Sequence, residues 1–146
     1  MKKVMFFATM CVASVMFVSC NEKAILESGL PASSRTFLQT HFPNEAVTHV
    51  TMENEGFGKE YTAYLTNGFS VVFGKKGDWD KIRFEPMPQS VLDLLPAGIV
   101  EYVATAFPNN SEIVKVSKER KGYEIGLNGK TKLKFNTTGK FIGYDD

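Results

Sequence analysis

The sequence predicts an α+β fold of two tandem repeats, each a helical segment packed on a four-stranded antiparallel sheet. Three observations predict it. Landmarks recur in order: Leu30-Pro31 and Phe42-Pro43 return 65 residues later as Leu95-Pro96 and Phe107-Pro108. Tyr61, Leu65, Phe73 and Gly77 return 62 residues later as Tyr123, Leu127, Phe135 and Gly139, and Trp79 faces Phe141. Ordered recurrence of this kind marks an internal duplication. Within each copy the apolar period changes from helical to alternating, with Asn67-Gly68 and Asn128-Gly129 placed between alternating runs. Asn-Gly there is the strongest short-range hairpin signal, because its turn needs positive φ at both central residues. A helix over one face of an antiparallel sheet is an α+β arrangement.

At the N-terminus, Met1-Lys2-Lys3 is a short positive segment, and Val4 to Val18 is a 15-residue apolar run softened by Thr9 and Ser14. A membrane-spanning helix needs about 20 apolar residues, whereas a run of this length fits the core of a secretory signal. Phe17-Val18-Ser19-Cys20 resembles the lipobox of bacterial lipoproteins. That resemblance implies removal of residues 1–19 as a lipoprotein-type signal peptide and acylation of Cys20. Cys11 lies in the removed segment, so the mature domain would hold no free thiol and no disulfide. Two or more acyl chains anchor a protein stably, and residues 20–29 read as the tether, with a partial helix.

The first repeat spans 30–84, with strands expected at Val47 to Met52, Tyr61 to Leu65, Phe69 to Phe73 and Trp79 to Phe84, and a longer turn at Glu53-Asn54-Glu55-Gly56. Residues 85–90, Glu-Pro-Met-Pro-Gln-Ser, read as the hinge between repeats. The second repeat spans 91–146. Val91 to Leu95 suits a helical turn, and Leu95, Ile99, Tyr102, Val103, Ala106 and Phe107 form one helical stripe. Pro96 fits the first turn, where its missing N–H costs nothing, and Pro108 forbids continuation. Gly98 weakens the helix by about 1 kcal/mol relative to Ala. The strands that follow are expected at Ile113 to Lys118, Tyr123 to Leu127, Thr131 to Phe135 and Lys140 to Tyr144. Units of this size bury only about 60% of their chain surface, so the two copies are expected to pack together.

Leu-Pro, Phe-Pro twelve residues on, then Tyr-x3-Leu, Asn-Gly and Phe-x3-Gly-x-Trp/Phe together resemble the PepSY-like family, described as β-lactamase-inhibitor-like proteins of the Gram-negative envelope. The resemblance covers nearly all of residues 30–146. It implies a fold like the β-lactamase inhibitor protein, with tandem α+β repeats whose sheets form one extended surface. It also implies export to the periplasm or an envelope membrane. The matching residues are Pro, Gly and apolar types, which account for fold; function has to come from a site.

Composition excludes several chemistries. The chain carries 17 Lys+Arg and 16 Asp+Glu, and Lys2 and Lys3 belong to the leader, so residues 21–146 hold 17 − 2 = 15 bases against 16 acids. A near-neutral domain has no electrostatic footprint for nucleic acid. The only histidines are His41 and His49, neither of which recurs in the second copy. Zinc therefore lacks ligands, and no nucleophile–base pair, phosphate loop or cofactor motif is present. Gly77-Asp78-Trp79-Asp80 reads as a turn and strand start, since it lacks the further oxygen ligands of a calcium loop. No catalytic residue, metal or cofactor is assigned, and the chain is not expected to be an enzyme.

Candidate binding residues lie on the strands. Lys130, Lys132 and Lys134 alternate with Thr131, Leu133 and Phe135, which puts a lysine ladder on one face, with Lys115 nearby. One reading is a solvated face whose like charges discourage edge pairing; the sharper one is a surface for an acidic partner. Tyr64 and Phe84 have no aromatic counterpart in the second copy and are the better candidates for exposure among the aromatic residues, although core or half-core packing is the reading favoured for any single one. Together these point to a non-enzymatic envelope lipoprotein that binds an envelope or secreted protein through its sheet, possible hydrolase inhibition being the sharpest version. The membrane is met through the lipid anchor only. The alternative is a small-ligand or peptide-binding module with a pocket between helix and sheet or between repeats. Replacing Cys20→Ser is expected to abolish palmitate labelling and to shift the protein from the detergent phase to the aqueous phase; a labelled Cys20→Ser chain would refute acylation at this residue.

Overall fold

The computed structural model describes residues 22–56 and 58–145. Cys20 and the leader lie outside them. Nine strands form one antiparallel sheet in sequence order. They are β1 (Glu22–Ile25), β2 (Val47–Glu55), β3 (Gly58–Leu65), β4 (Ser70–Phe73), β5 (Trp79–Arg83), β6 (Ile113–Glu119), β7 (Gly122–Leu127), β8 (Lys132–Asn136) and β9 (Phe141–Tyr144). Three helices accompany them: α1 (Ala32–His41), the single turn α2 (Gln89–Leu92) and α3 (Ala97–Ala106).

The α+β class holds, but the expected pair of four-stranded sheets is replaced by this continuous sheet. Two features produce the difference. β5 pairs directly with β6, Lys81 to Arg83 lying opposite Ser117 to Lys115. The expected tether contributes a ninth strand, with Glu22 to Ile25 opposite Glu53 to Val50. Without β1, the outer backbone groups of β2 would be an open edge. The segment expected as a hinge is also part of the fold: Met87 is buried in the core, and Pro88 is the N-cap of α2. The longer first turn expected at 53–56 is mostly strand, since Glu53, Asn54 and Glu55 pair with Glu60, Lys59 and Gly58.

One row of side chains runs across the whole sheet. Ile25, Val50, Ala63, Val71, Ile82, Val116, Ile125, Leu133 and Tyr144 are successive cross-strand partners. From Val50 to Leu133 every member is buried. Because side chains alternate between faces, this row defines the packed face. Phe37 of α1 meets Phe73 edge-on at 5.8 Å, and Tyr102 of α3 meets Phe135 edge-on at 5.6 Å. Val91 of α2 joins the same core. All three helices therefore cover one face.

The helix starts explain the glycines in the repeated motif. Gly77 and Gly139 have φ of 92° and 90°, so each supplies the left-handed turn before a strand. A Cβ at Gly77 would stand 2.8 Å from Cβ of Pro31, and one at Gly139 2.7 Å from Cβ of Pro96. Each turn is thus seated against the proline that opens a helix. Ser34 Oγ donates to the Gly77 carbonyl at 3.0 Å and fixes the first contact. In the second, Gly98 lets α3 approach, since a Cβ there would meet the Gly139 carbonyl oxygen at 3.1 Å. The helix-weakening glycine is a packing residue.

The two Asn-Gly turns differ. Asn67 and Gly68 both have positive φ, whereas in the second turn only Gly129 does, and Lys130 extends the loop before Thr131. Burial of Ile82 at the β5–β6 seam is complete. Its replacement, Ile82→Ala, is expected to cost about 3 kcal/mol, in the range of buried Ile-to-Ala changes. Urea unfolding should show a single transition in both chains, because one core spans the sheet; two resolved transitions would show that the halves are not coupled through the seam.

Candidate functional site

Among the described residues, no helix covers the second face of the sheet, which makes it the candidate surface. Its central row is Ala24, Thr51, Thr62, Val72, Lys81, Ser117, Glu124, Lys134 and Gly143, again successive cross-strand partners. A second row runs parallel: His49, Tyr64, Ser70, Arg83, Lys115, Gly126 and Lys132. The β2–β4 part of these rows is neutral, hydroxyl-bearing and aromatic. The β5–β8 part is mostly basic.

The expected lysine ladder is divided by this geometry. Lys132 and Lys134 lie on β8 and face outward, but Lys130 belongs to the β7–β8 turn. Lys134 Nζ lies 3.7 Å from Asp145 Oδ1. Lys115 is more enclosed; its stem crosses Gly126 and its Nζ reaches Glu124 Oε1 at 2.7 Å. The Asp145 carboxyl is held below its ordinary value of 3.8, first by a side-chain hydrogen bond shared with Glu124, then by the charges of Lys134 and Lys132. Lys115 and Lys134 are thereby compensated. Arg83, Lys130 and Lys132 form no ion pair among the described residues.

These three cations meet in one place. A surface cleft of about 290 Å³ is lined by Phe69, Arg83 and Glu85 on one side and by Lys130 and Lys132 on the other, with Lys115 and Gly126 between them. Gly126, with no side chain of its own, is crossed by the Lys115 stem, which forms the floor. Arg83, Glu85 and Gly126 were not legible as site residues. Their nearness to the lysines follows from the Arg83–Lys115, Lys115–Gly126 and Gly126–Lys132 pairings, which no local pattern encodes.

The two aromatic candidates separate. Tyr64 lies on the uncovered face, half-buried and stacked on the exposed His49 ring, 4.2 Å between centroids and 9° between planes. Phe84 is a correction. It is 8% exposed and packs against Phe42 at 4.9 Å and Phe69 at 4.8 Å. It follows the end of β5 and fills the space beneath the C-terminus of α1, where the smaller second-copy residues gave no hint of a large neighbour.

Other clefts are open as well. One of about 460 Å³ lies between α1 and β2–β3, lined by Leu38, Phe42, Val47 and Leu65 with Glu27 and Glu45. Among the described residues, no group of three or more His, Cys, Asp or Glu side chains could hold a metal ion. Asp78 and Asp80 flank Trp79 at the start of β5, and burial raises the Asp80 carboxyl above its ordinary value. His41, at the end of α1, shares a 2.8 Å hydrogen bond with Ser90 Oγ of α2. Burial lowers its pKa below 6.5.

A family model described as "Putative beta-lactamase-inhibitor-like, PepSY-like" matches residues 59–143. Solved structures from Bacteroides share the fold. A Bacteroides vulgatus chain described as a "putative periplasmic protein from DUF2874 family" is 32% identical, with a TM-score of 0.78 over 88% of this chain and 99% of its own. A Bacteroides thetaiotaomicron chain described as a "putative calcium-regulated periplasmic protein" is 31% identical, with a TM-score of 0.77 over 86% of this chain and 97% of its own. A second B. vulgatus chain, described as a "putative periplasmic protein of unknown function", is 25% identical, with a TM-score of 0.77 over 86% and 99%. No curated protein matches the chain.

The lowered pKa of His41 fixes the sign of one pH effect. Between its folded value and 6.5 the unfolded chain binds more protons, so the contribution of this residue is complete above 6.5 and is lost as pH falls through the folded value. His41→Gln is expected to flatten the fall in urea midpoint between about pH 7 and pH 5. An unchanged pH profile in that variant would remove His41 as the cause.

Proposed function

The chain belongs to the PepSY-like family, and we propose that it is a non-enzymatic, periplasm-facing lipoprotein of a Gram-negative envelope that binds another protein through the uncovered face of its sheet. On this reading residues 1–19 are removed, Cys20 carries the lipid, and the chain was built by doubling one helix-and-strands unit. The periplasmic descriptions of the Bacteroides relatives support the compartment. The inhibitor-like description of the family supports a binding role, with a secreted hydrolase as the sharpest choice of partner.

The observation that carries the proposal is the contrast between faces. One face is a continuous apolar row packed beneath the helices; the other is an uncovered surface of nine strands with the Tyr64–His49 stack and a basic corner. A flat surface with an aromatic anchor and charged flanks suits a protein partner, since aromatic and Arg side chains carry much of the energy at interfaces. Enzymatic chemistry has no support in the arrangement of His41 and His49, which lie on α1 and on the uncovered face of β2. The small-ligand alternative rests on the cleft between α1 and β2–β3, whose apolar lining is open to solvent. Such ligands are usually held in deeper cavities that bury most of their surface.

A photocrosslinking residue placed at Thr62 or Lys132 is expected to trap one partner of reproducible mass in envelopes, while the same group at Arg35 on α1 or Glu101 on α3 traps none. Equal trapping from the helical side, or none from the sheet, would overturn the assignment of the face.

A further inference from the structure

We infer that the cleft above Gly126 is the subsite in which this face receives acidic side chains of a protein partner. The inference rests on the proposed use of the uncovered face as a protein-binding surface, and it names the chemistry recognised there. Three observations support it. Arg83, Lys130 and Lys132 converge on a cleft of about 290 Å³ and form no ion pair among the described residues. Neighbouring cations of the same surface are already neutralised, Lys115 by Glu124 at 2.7 Å and Lys134 by Asp145 at 3.7 Å. Arg83, Lys130 and Lys132 are therefore the cations that this cleft offers to a ligand. Gly126 lets the Lys115 stem lie low across the strand, so that the cleft stays open between Arg83 and Lys132.

The shape of the cationic row selects the ligand. Arg83, Lys115, Gly126 and Lys132 lie on four adjacent strands. Three strand spacings put the Arg83 and Lys132 backbones about 14 Å apart. An extended segment matches that span, because its alternate side chains lie about 7 Å apart on one side. One carboxylate then sits beside Lys132 and the next near Arg83, where a guanidinium can hold both oxygens. Glu85 on the rim disfavours a polyphosphate and leaves a position for a basic residue of the same segment. Phe69 offers an apolar contact beside it.

The test uses the full chain in a zwitterionic detergent, with acetylated and amidated hexaglutamate as the probe and hexaglutamine as its neutral counterpart. Hexaglutamate is expected to bind and to shift the Gly126 amide resonance, and hexaglutamine to do neither. Arg83→Glu/Lys132→Glu is expected to weaken hexaglutamate binding roughly tenfold or more. Lys75→Glu/Lys76→Glu makes the same change of charge in the exposed β4–β5 turn; it is expected to change binding less than about twofold, as a distant charge screened by salt. Both variants should keep the parent's thermal midpoint, which separates loss of a contact from loss of fold. Equal weakening by the two double variants would overturn the subsite, as would displacement of hexaglutamate by equimolar inorganic phosphate. If partner crosslinks at Thr62 persist while hexaglutamate fails to bind, the subsite falls and the binding face stands. If crosslinks are absent while hexaglutamate binds at the cleft alone, the face reading falls.

Discussion

The pairing of β5 with β6 is the constraint on which the remaining structure depends. It is short, with Lys81, Ile82 and Arg83 opposite Ser117, Val116 and Lys115, and the Phe84 amide adds a hydrogen bond to the Val114 carbonyl at 3.1 Å. Its register determines parity for every strand beyond it. With Ile82 beside Val116, the buried row of β2–β5 continues into β6–β8 without a step, and one core serves both helices. A slip by one residue would place Arg83 or Lys81 beside Val116 and turn the apolar side of half the sheet to solvent. The same register creates the surface chemistry: because Ile82 is locked inward, Arg83 must point outward, directly beside Lys115.

Packing explains why the two halves agree on one face and differ on the other. Tyr61, Phe73 and Trp79 are linked by pairing on β3, β4 and β5, as Tyr123, Phe135 and Phe141 are on β7, β8 and β9. Above the first set lies Phe37 and above the second Tyr102, which stacks on Phe141 at 4.5 Å. Interiors are close-packed, so changes in volume there are costly. The helix starts are constrained in the same way, one by the Ser34 hydrogen bond to Gly77 and the other by the contact that Gly98 permits with Gly139. Two local solutions meet one requirement, that a tight turn be held against a helix N-terminus.

Local signals explain what was legible. The alternating runs, the Leu-Pro and Phe-Pro borders and the turn glycines located the strands and two long helices, because each is a short-range consequence of backbone geometry. Long-range pairing has no such signature. Glu22 to Ile25 looks like a polar tether until β2 supplies its partner, and Met87 looks like part of a loop until the core closes over it. Phe84 was a candidate for exposure because the second copy shows no aromatic counterpart; the structure places it between Phe42 and Phe69. Asymmetry between copies can signal a void filled by a neighbour as readily as a site. Lys132 was legible as an outward cation by alternation alone, while Arg83 and Gly126 became part of the same cleft only through three successive strand pairings.

That distinction bears on where function can reside. Residues on the packed face answer to volume, and their agreement between halves carries no information about a partner. On the uncovered face no such demand operates, yet its charges are ordered: Thr51, Thr62 and Val72 on one side, Arg83, Lys115 and Lys132 on the other. Solubility alone asks only for mixed charge spread over a surface. It does not ask that Glu124 and Asp145 pair with Lys115 and Lys134 while Arg83, Lys130 and Lys132 line one cleft with no ion pair among the described residues. A glycine in the middle of β7 contributes nothing to strand stability; here it lets the Lys115 stem cross the strand closely and carry its Nζ to Glu124. That crossing takes one cation out of the row, and Arg83, Lys130 and Lys132 are left to line the cleft without an ion partner among the described residues.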